Sequence, residues 1–313
     1  MNNDTKTMRD ALIEQIYLKM REDENIFFLT ADFGAPALDR IRKNFKSRFV
    51  NVGIAEQNLV NVATGLAMEG FAVYAYAIAG FLSMRAYEQI RTNLAIHAQH
   101  KCLNVNLIGV GAGVSYDMSG PSHHCMEDLT IIRTLPNIVL FSPSDFTMAE
   151  KFTDYSLAVK KPKYIRLDGK AIRRIYPEQT EFDWEKGFFV LKEGHETCII
   201  STGYMTHKAL RVAQAAADKK KTVGVIDLFM LKTFDRESIA AKLKTYKRLI
   251  TIEEGFKNKG GLDSLVLQIV NEHNISAEVK NFGFDDKYNF ICQKREALYA
   301  QNSFADNDVL AMI

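Results

Sequence analysis

Cysteine is scarce: Cys102, Cys125, Cys198 and Cys292 are scattered over 313 residues with no CxxC pair. That spacing supports neither a disulfide framework nor a zinc site, and it suits a reducing cytoplasm. Excess charge is scarce as well. A formal net charge of +2 at pH 7 leaves no electrostatic footprint for nucleic acid. The basic run Lys219-Lys220-Lys221 follows an apolar helical pattern and reads as a solvated helix end. Long apolar runs are missing too. The longest uncharged apolar stretch, 70–84, is too short to span a bilayer. The polar residues 1–11 lack the apolar core of a signal peptide. Nucleic-acid binding, membrane insertion and secretion are therefore not expected.

What is present is an ordinary globular composition, 47% hydrophobic and 25% charged, in a chain longer than one typical domain. Apolar runs of strand length alternate with segments of helical periodicity. Residues 8–22 read as a helix, 26–30 and 49–52 as strands, 56–68 as a helix and 72–77 as a strand. A helix over 84–98, strands at 103–110, 138–141 and 164–167, and helices between them complete a first unit. The alternation restarts at 197–201 and runs through 222–228, 248–253 and 277–282. Such alternation predicts an α/β protein of two domains, each a mainly parallel sheet covered by helices. The boundaries fall at 1–170 and 196–313, with 171–195 as a linker.

Several motifs invite a functional reading. Gly109-Val-Gly111-Ala-Gly113 follows a strand, but its spacing is GxGxG and loop-like residues come next, so a dinucleotide site is not indicated. His123, His124 and Cys125 are contiguous and His97 and His100 are three apart, yet no carboxylate or second pair completes a metal set. No metal is assigned to this chain. The Glu253-Glu254 pair reads as structural. Glu56 stands where a strand, a tight turn at Gly53 and a helix start meet; taken alone, it is a first-turn glutamate complementing the helix dipole.

An ordered set of segments changes that reading. NVGIAEQN at 51–58, ATGLAMEGF at 63–71, GFLSMRAYEQIR at 80–91, SGPSHHCMEDL at 119–129 and LPNIVLFSPSD at 135–145 resemble the pyrimidine-binding domain of thiamine-diphosphate-dependent transketolases. VIDLFMLKTFD at 225–235 and TIEEGFKNKGGL at 251–262 resemble the C-terminal domain of the same family. The resemblance implies that Glu56 faces a pyrimidine nitrogen of the cofactor. A protonated carboxyl there favours the imino tautomer, whose nitrogen takes the proton from the thiazolium carbon. On the same resemblance Phe81 and Tyr87 pack against the pyrimidine, Asp32 joins the cofactor-binding group, and His123 meets substrate, donating or accepting a proton near neutral pH.

Full-length members of the family carry a GDG…N motif for the metal that holds the diphosphate. This sequence has none. The resemblance therefore implies that a separate N-terminal partner chain carries that motif and its Mg2+, in a two-plus-two assembly. The alternatives are the beta subunit of a 2-oxoacid dehydrogenase and a non-catalytic regulatory subunit. The residues after His123 favour transketolase, and the joint presence of Glu56, Phe81 and His123 favours catalysis. The chain also departs from the family pattern. Gly111 stands at a phosphate-binding histidine position, Ser119 at a hydroxyl-reading aspartate, and Asp168-Gly169 near a phosphate-binding arginine, with Arg166 and Lys170 as neighbouring cations. Phosphate recognition needs clustered donors, so the expected substrate is not an ordinary pentose or hexose phosphate.

Overall fold

The computed structural model describes residues 5–313. In chain order the first part comprises β1 (Thr5–Thr7), α1 (Met8–Glu22), β2 (Ile26–Thr30), α2 (Leu38–Asn44), β3 (Phe49–Asn51), α3 (Glu56–Met68) and β4 (Ala72–Ile78). A π-wound turn (Phe81–Arg85), the short α4 (Tyr87–Gln89) and a second π-wound stretch (Ile90–Ile96) follow. Then come β5 (Val105–Val110), α5 (Asp128–Arg133), β6 (Val139–Phe141), α6 (Phe146–Ala158), β7 (Lys163–Leu167) and β8 (Ala171–Arg173). The second part holds β9 (Phe188–Lys192), β10 (Thr197–Ser201), α7 (Met205–Asp218), β11 (Val223–Leu228), α8 (Arg236–Leu243) and β12 (Arg248–Phe256). It ends with α9 (Leu262–Glu272), β13 (Glu278–Phe284), α10 (Arg295–Gln301) and α11 (Asp306–Leu310).

Two large sheets form. The first has strand order β3-β2-β4-β5-β7-β6, every neighbour parallel. Buried on both faces, its strands need no polar–apolar alternation, which is why Val105–Val110 is buried at every position. The second has order β13-β12-β10-β11-β9 and is parallel except for β9, which runs antiparallel along β11. Two segments inside the stretch read as a linker are strands: β8 pairs with β1, and β9 edges the second sheet. β9 lacks a crossover helix of its own, so the strand–helix alternation used to read the sequence skips it.

In the first sheet the chain leaves β2 toward β3 and returns on the other side of β2 to build β4. Ligands of open parallel sheets bind at such a switch, outside the carboxyl ends of the strands. Those ends carry Asp32, the turn into Glu56, and Phe81.

The two units share a buried junction. Phe141 bridges to Met230, and the Leu231 N–H donates to the Leu140 carbonyl at 2.9 Å. Phe141, Phe152, Phe182, Phe229 and the single tryptophan, Trp184, interlock around it. At its polar edge the buried Asp227 carboxylate accepts from Tyr176 Oη at 2.7 Å, Thr206 Oγ1 at 3.0 Å and the Ser144 hydroxyl. Burial pushes the Asp227 carboxyl up to about 7 in spite of those donors.

An acid whose folded-state pKa lies above its unfolded value contributes stability that is full at low pH and is lost as pH rises. For Asp227 the window opens near its ordinary value of 3.8 and closes at about 7. Urea unfolding of wild type and Asp227→Asn across that window should show the wild-type advantage shrinking as pH rises. A constant difference would mean the carboxyl does not titrate there.

Candidate active site

The site grows from three strand ends. Asn51, the last residue of β3, uses its side-chain oxygen to accept from the N–H groups of Asp32 and Gly53, both at 3.0 Å. Its amide nitrogen donates to Asp32 Oδ1 at 2.9 Å. This holds Asp32 at φ 52°, a left-handed conformation that aspartate tolerates better than most residues. Gly53, at φ 76°, makes the turn that a side chain would strain. α3 then begins at Glu56, whose side chain is only 3% exposed.

From the end of β4 the π-wound turn presents Phe81 and Arg85 side by side, four residues apart. Arg85 Nη1 donates to Glu56 Oε2 at 2.5 Å, and its guanidinium carbon lies 4.8 Å from the Phe81 ring centroid. The other neighbour of Phe81 is the His123 ring, edge-on at 5.4 Å. Glu56, Arg85, Phe81 and His123 thus form one continuous group, with Asp32 tied in through Asn51. Arg85 is the member that sequence reading does not find; its signal is the four-residue step from Phe81 within GFLSMRAYEQIR. Tyr87 is placed elsewhere. Its hydroxyl donates to the Ile131 carbonyl at 3.2 Å and pairs with Thr134 Oγ1 at 2.8 Å. It borders a cavity of about 490 Å³ shared with Arg91, Ile96, His100 and Leu135.

His123 comes from the loop after β5. Gly80 packs against the loop there, within contact of the His124 carbonyl and Cys125. The Ser122 hydroxyl lies 3.1 Å from His123 Nδ1. His124 turns inward, with neither ring nitrogen partnered by protein, and burial lowers its pKa. At the root of the same loop Gly111 sits at φ 97°. The ring of Tyr116 fills the space a side chain would take at Gly111, and it would meet one at Gly169 at 2.8 Å. One tyrosine thus occupies the room next to the ends of both β5 and β7.

Behind the loop lies a buried ionic group that spans the two units. Arg295 of α10 pairs with Asp168 at 2.5 Å and with Glu254 of β12 at 2.9 Å, and its guanidinium stacks 3.9 Å from the Tyr204 ring. Its backbone N–H donates to Asp117 at 2.9 Å. Burial works against the Arg295 charge, but Asp168 and Glu254 hold it firmly protonated. Sequence reading sets Asp168 against an anionic substrate; in the fold its charge is already matched by Arg295. Arg166, named as a compensating cation, is buried on Asp128 at 2.9 Å. Lys170 is half-exposed and paired with Asp117. Glu253 and Glu254 are both buried: Glu253 accepts the Asp263 N–H at 3.0 Å near the start of α9, while Glu254 joins Arg295 and Tyr299. Among the described residues, no group of three or more His, Cys, Asp or Glu is placed to hold a metal ion. No helix there is long and apolar enough to cross a membrane.

The model of the transketolase pyrimidine binding domain matches residues 4–174, and that of the transketolase C-terminal domain matches residues 188–298. This chain belongs to the transketolase family. It is 30% identical over 280 residues to one of the subunits of the apulose-4-phosphate transketolase of Actinobacillus succinogenes, covering 89% of this chain and 88% of that relative. It is 29% identical to the 6-deoxy-6-sulfo-D-fructose transketolase subunit of a Clostridium strain, over 85% of this chain and 81% of the relative. A solved structure described as a split gene transketolase, inactive beta4 tetramer, superposes with a TM-score of 0.84 at 30% identity. That match spans 97% of this chain and 96% of the other. Transketolase relatives of about this length therefore exist as separate subunits.

The packing of Tyr116 predicts a specific coupling. Gly111→Ala should destabilise the chain by about 1–3 kcal/mol through crowding and its left-handed backbone. Combining it with Tyr116→Ala should cost less than the sum of the two single changes, because the crowding is relieved once. Urea unfolding of the four-member cycle measures this, and strict additivity would contradict the packing.

Proposed function

We propose that this chain is the C-terminal, pyrimidine-binding subunit of a split transketolase. The reaction is transfer of a two-carbon ketol or acyl unit from a ketose or 2-oxo donor to an aldehyde or ketone acceptor. The observation that carries the reading is the buried Glu56 carboxyl at the switch of a parallel sheet, linked through Arg85 to the Phe81 ring and through that ring to the His123 imidazole. That donor set fits an aminopyrimidine: a carboxyl for a ring nitrogen, an aromatic face for stacking, and a held turn at Asp32–Asn51 beside them. Thiamine diphosphate, when bound, supplies the acidic carbon that carries the two-carbon unit. Glu56 holds and moves the proton at the pyrimidine nitrogen. Phe81 holds the ring. The Ser122 hydroxyl lies against His123 Nδ1, leaving Nε2 as the nitrogen for substrate. Tyr87, expected against the pyrimidine, is instead held by the Ile131 carbonyl and Thr134 at a separate cavity, and no role in the seat is assigned to it.

The diphosphate and its Mg2+ are assigned to a partner subunit with a GDG…N motif, in a two-plus-two assembly with sites between unlike chains. Relatives of similar length described as subunits support this division. The four free cysteines suit a cytoplasmic protein. For the substrate, the Tyr116 ring at Gly111 and Gly169 and the pairing of the nearby cations leave little to grip an ordinary sugar phosphate. The names of the relatives concern a sulfo-sugar and apulose 4-phosphate; both are consistent with a modified sugar, although the second keeps a phosphate.

Glu56→Ala should slow proton loss from the thiazolium carbon by ~10²–10⁴ in the reconstituted complex, the range for a lost acid or base. NMR of hydrogen–deuterium exchange on the bound cofactor reads this directly, and unchanged exchange would return Glu56 to a helix-start role. With xylulose 5-phosphate as donor, the complex should show a kcat/KM below about 10⁴ M⁻¹s⁻¹, the low end of ordinary enzymes. Steady-state kinetics above that value would refute the substrate reading.

A further inference from the structure

The Glu56–Arg85 pair sits awkwardly with the role given to Glu56. A carboxylate committed to a guanidinium cannot at the same time trade a proton with a ring nitrogen. Yet Arg85 makes both contacts that an aminopyrimidine would make here. Its N–H donates to Glu56 at 2.5 Å, and its flat guanidinium lies against Phe81 at 4.8 Å. Guanidinium and aminopyrimidine share the properties that matter: planarity, edge donors, and a face that packs on aromatic rings. The two side chains differ in freedom. Glu56 is 3% exposed, whereas the Arg85 side chain is 47% exposed, so Arg85 is the member able to leave.

We propose that Arg85 is a built-in stand-in for the aminopyrimidine, covering Glu56 and Phe81 in the free chain and swinging into solvent when the pyrimidine enters. The inference rests on the reading of Glu56 and Phe81 as the pyrimidine's seat. Its physical logic is that a buried carboxylate left without a partner is costly. The arginine supplies that partner until the ligand does. The consequence is competition: only the fraction of chains with Arg85 swung out can bind, and apparent affinity falls by that fraction. A residue that instead held the pyrimidine would have the opposite effect when removed.

The test is titration of the full-length chain with the free pyrimidine fragment, 4-amino-5-hydroxymethyl-2-methylpyrimidine, followed by NMR. Arg85→Ala should bind it about two- to fivefold more tightly than wild type, the fold-change expected when a partly exposed ion pair no longer competes. Arg85→Lys should fall between, because its ammonium can pair with Glu56 but has no plane to lay on Phe81. In wild type the Arg85 side-chain NH signal should move toward its free-solvent position as the fragment binds. In a Glu56→Gln background the Arg85→Ala gain should disappear. Weaker or equal binding by Arg85→Ala overturns the stand-in role and leaves the seat intact. Failure of Arg85→Ala to bind the fragment at millimolar concentration overturns the stand-in role as well. If Glu56→Ala also leaves cofactor proton exchange unchanged in the reconstituted complex, the seat itself is refuted.

Discussion

The buried charge of Arg295 is the constraint on which the arrangement of this protein most depends. A guanidinium enclosed by protein cannot be left without anions. It draws Asp168 from the end of β7, Glu254 from β12 and, through its backbone, Asp117 from the loop that carries His123. One residue of α10 thereby ties the second unit to the end of β7 and to the His123 loop of the first. Arg166, buried on Asp128 and donating to the Glu254 carbonyl at 2.9 Å, reinforces the same seam from the other side. Breaking such a group by removing one partner typically costs about 3–5 kcal/mol, so the seam behaves as a rigid support.

Rigidity at the seam shapes the site through Tyr116. With Asp117 held on Arg295 and Lys170, the preceding residue has little freedom, and its ring lies across Gly111 and Gly169. The cations at this end of the site are spoken for. Arg166 is paired with Asp128, Arg295 with Asp168 and Glu254, and Lys170 with Asp117. What the seam leaves next to the ends of β5 and β7 is an aromatic ring flanked by charges that are already matched. The proposed substrate preference rests on this packing more than on any single missing residue.

Much of this is legible in the sequence, for reasons that differ by feature. α1, β2, α3 and β10 fall where periodicity places them, at 8–22, 26–30, 56–68 and 197–201. Each is a strongly patterned element buried by its own sheet. The helix expected over 84–98 instead starts at Phe81 and is largely π-wound, a geometry that periodicity at 3.6 residues does not register. β8 and β9 escape the pattern because one is three residues long and the other pairs antiparallel at an edge. Within the candidate site, motif order singles out Glu56, Phe81 and His123, which the fold brings into one group through Arg85. It does not reach the Arg295 group: Asp168 and Arg295 lie 127 residues apart in sequence, and no local pattern connects them with Glu254. Gly111 and Gly169 differ in kind from their reading in the sequence. There both look like lost ligands, whereas in the fold both make room for a ring.

The same distinction between a missing group and a displaced one applies to Glu56. Read alone, a carboxylate at the start of α3 is satisfied by the helix N-terminus and needs no further explanation. In the fold it has been pulled out of water to 3% exposure and given a cationic partner from a different element. A carboxylate meant only to complement a helix dipole would stay at the surface, where solvation costs nothing. Burying it against an exchangeable arginine and an aromatic ring keeps a polar, half-filled seat in a place where a purely structural residue would be apolar. Local consistency fails here in the way expected of a site built for something outside the chain. The arginine explains how the chain remains stable before that something arrives.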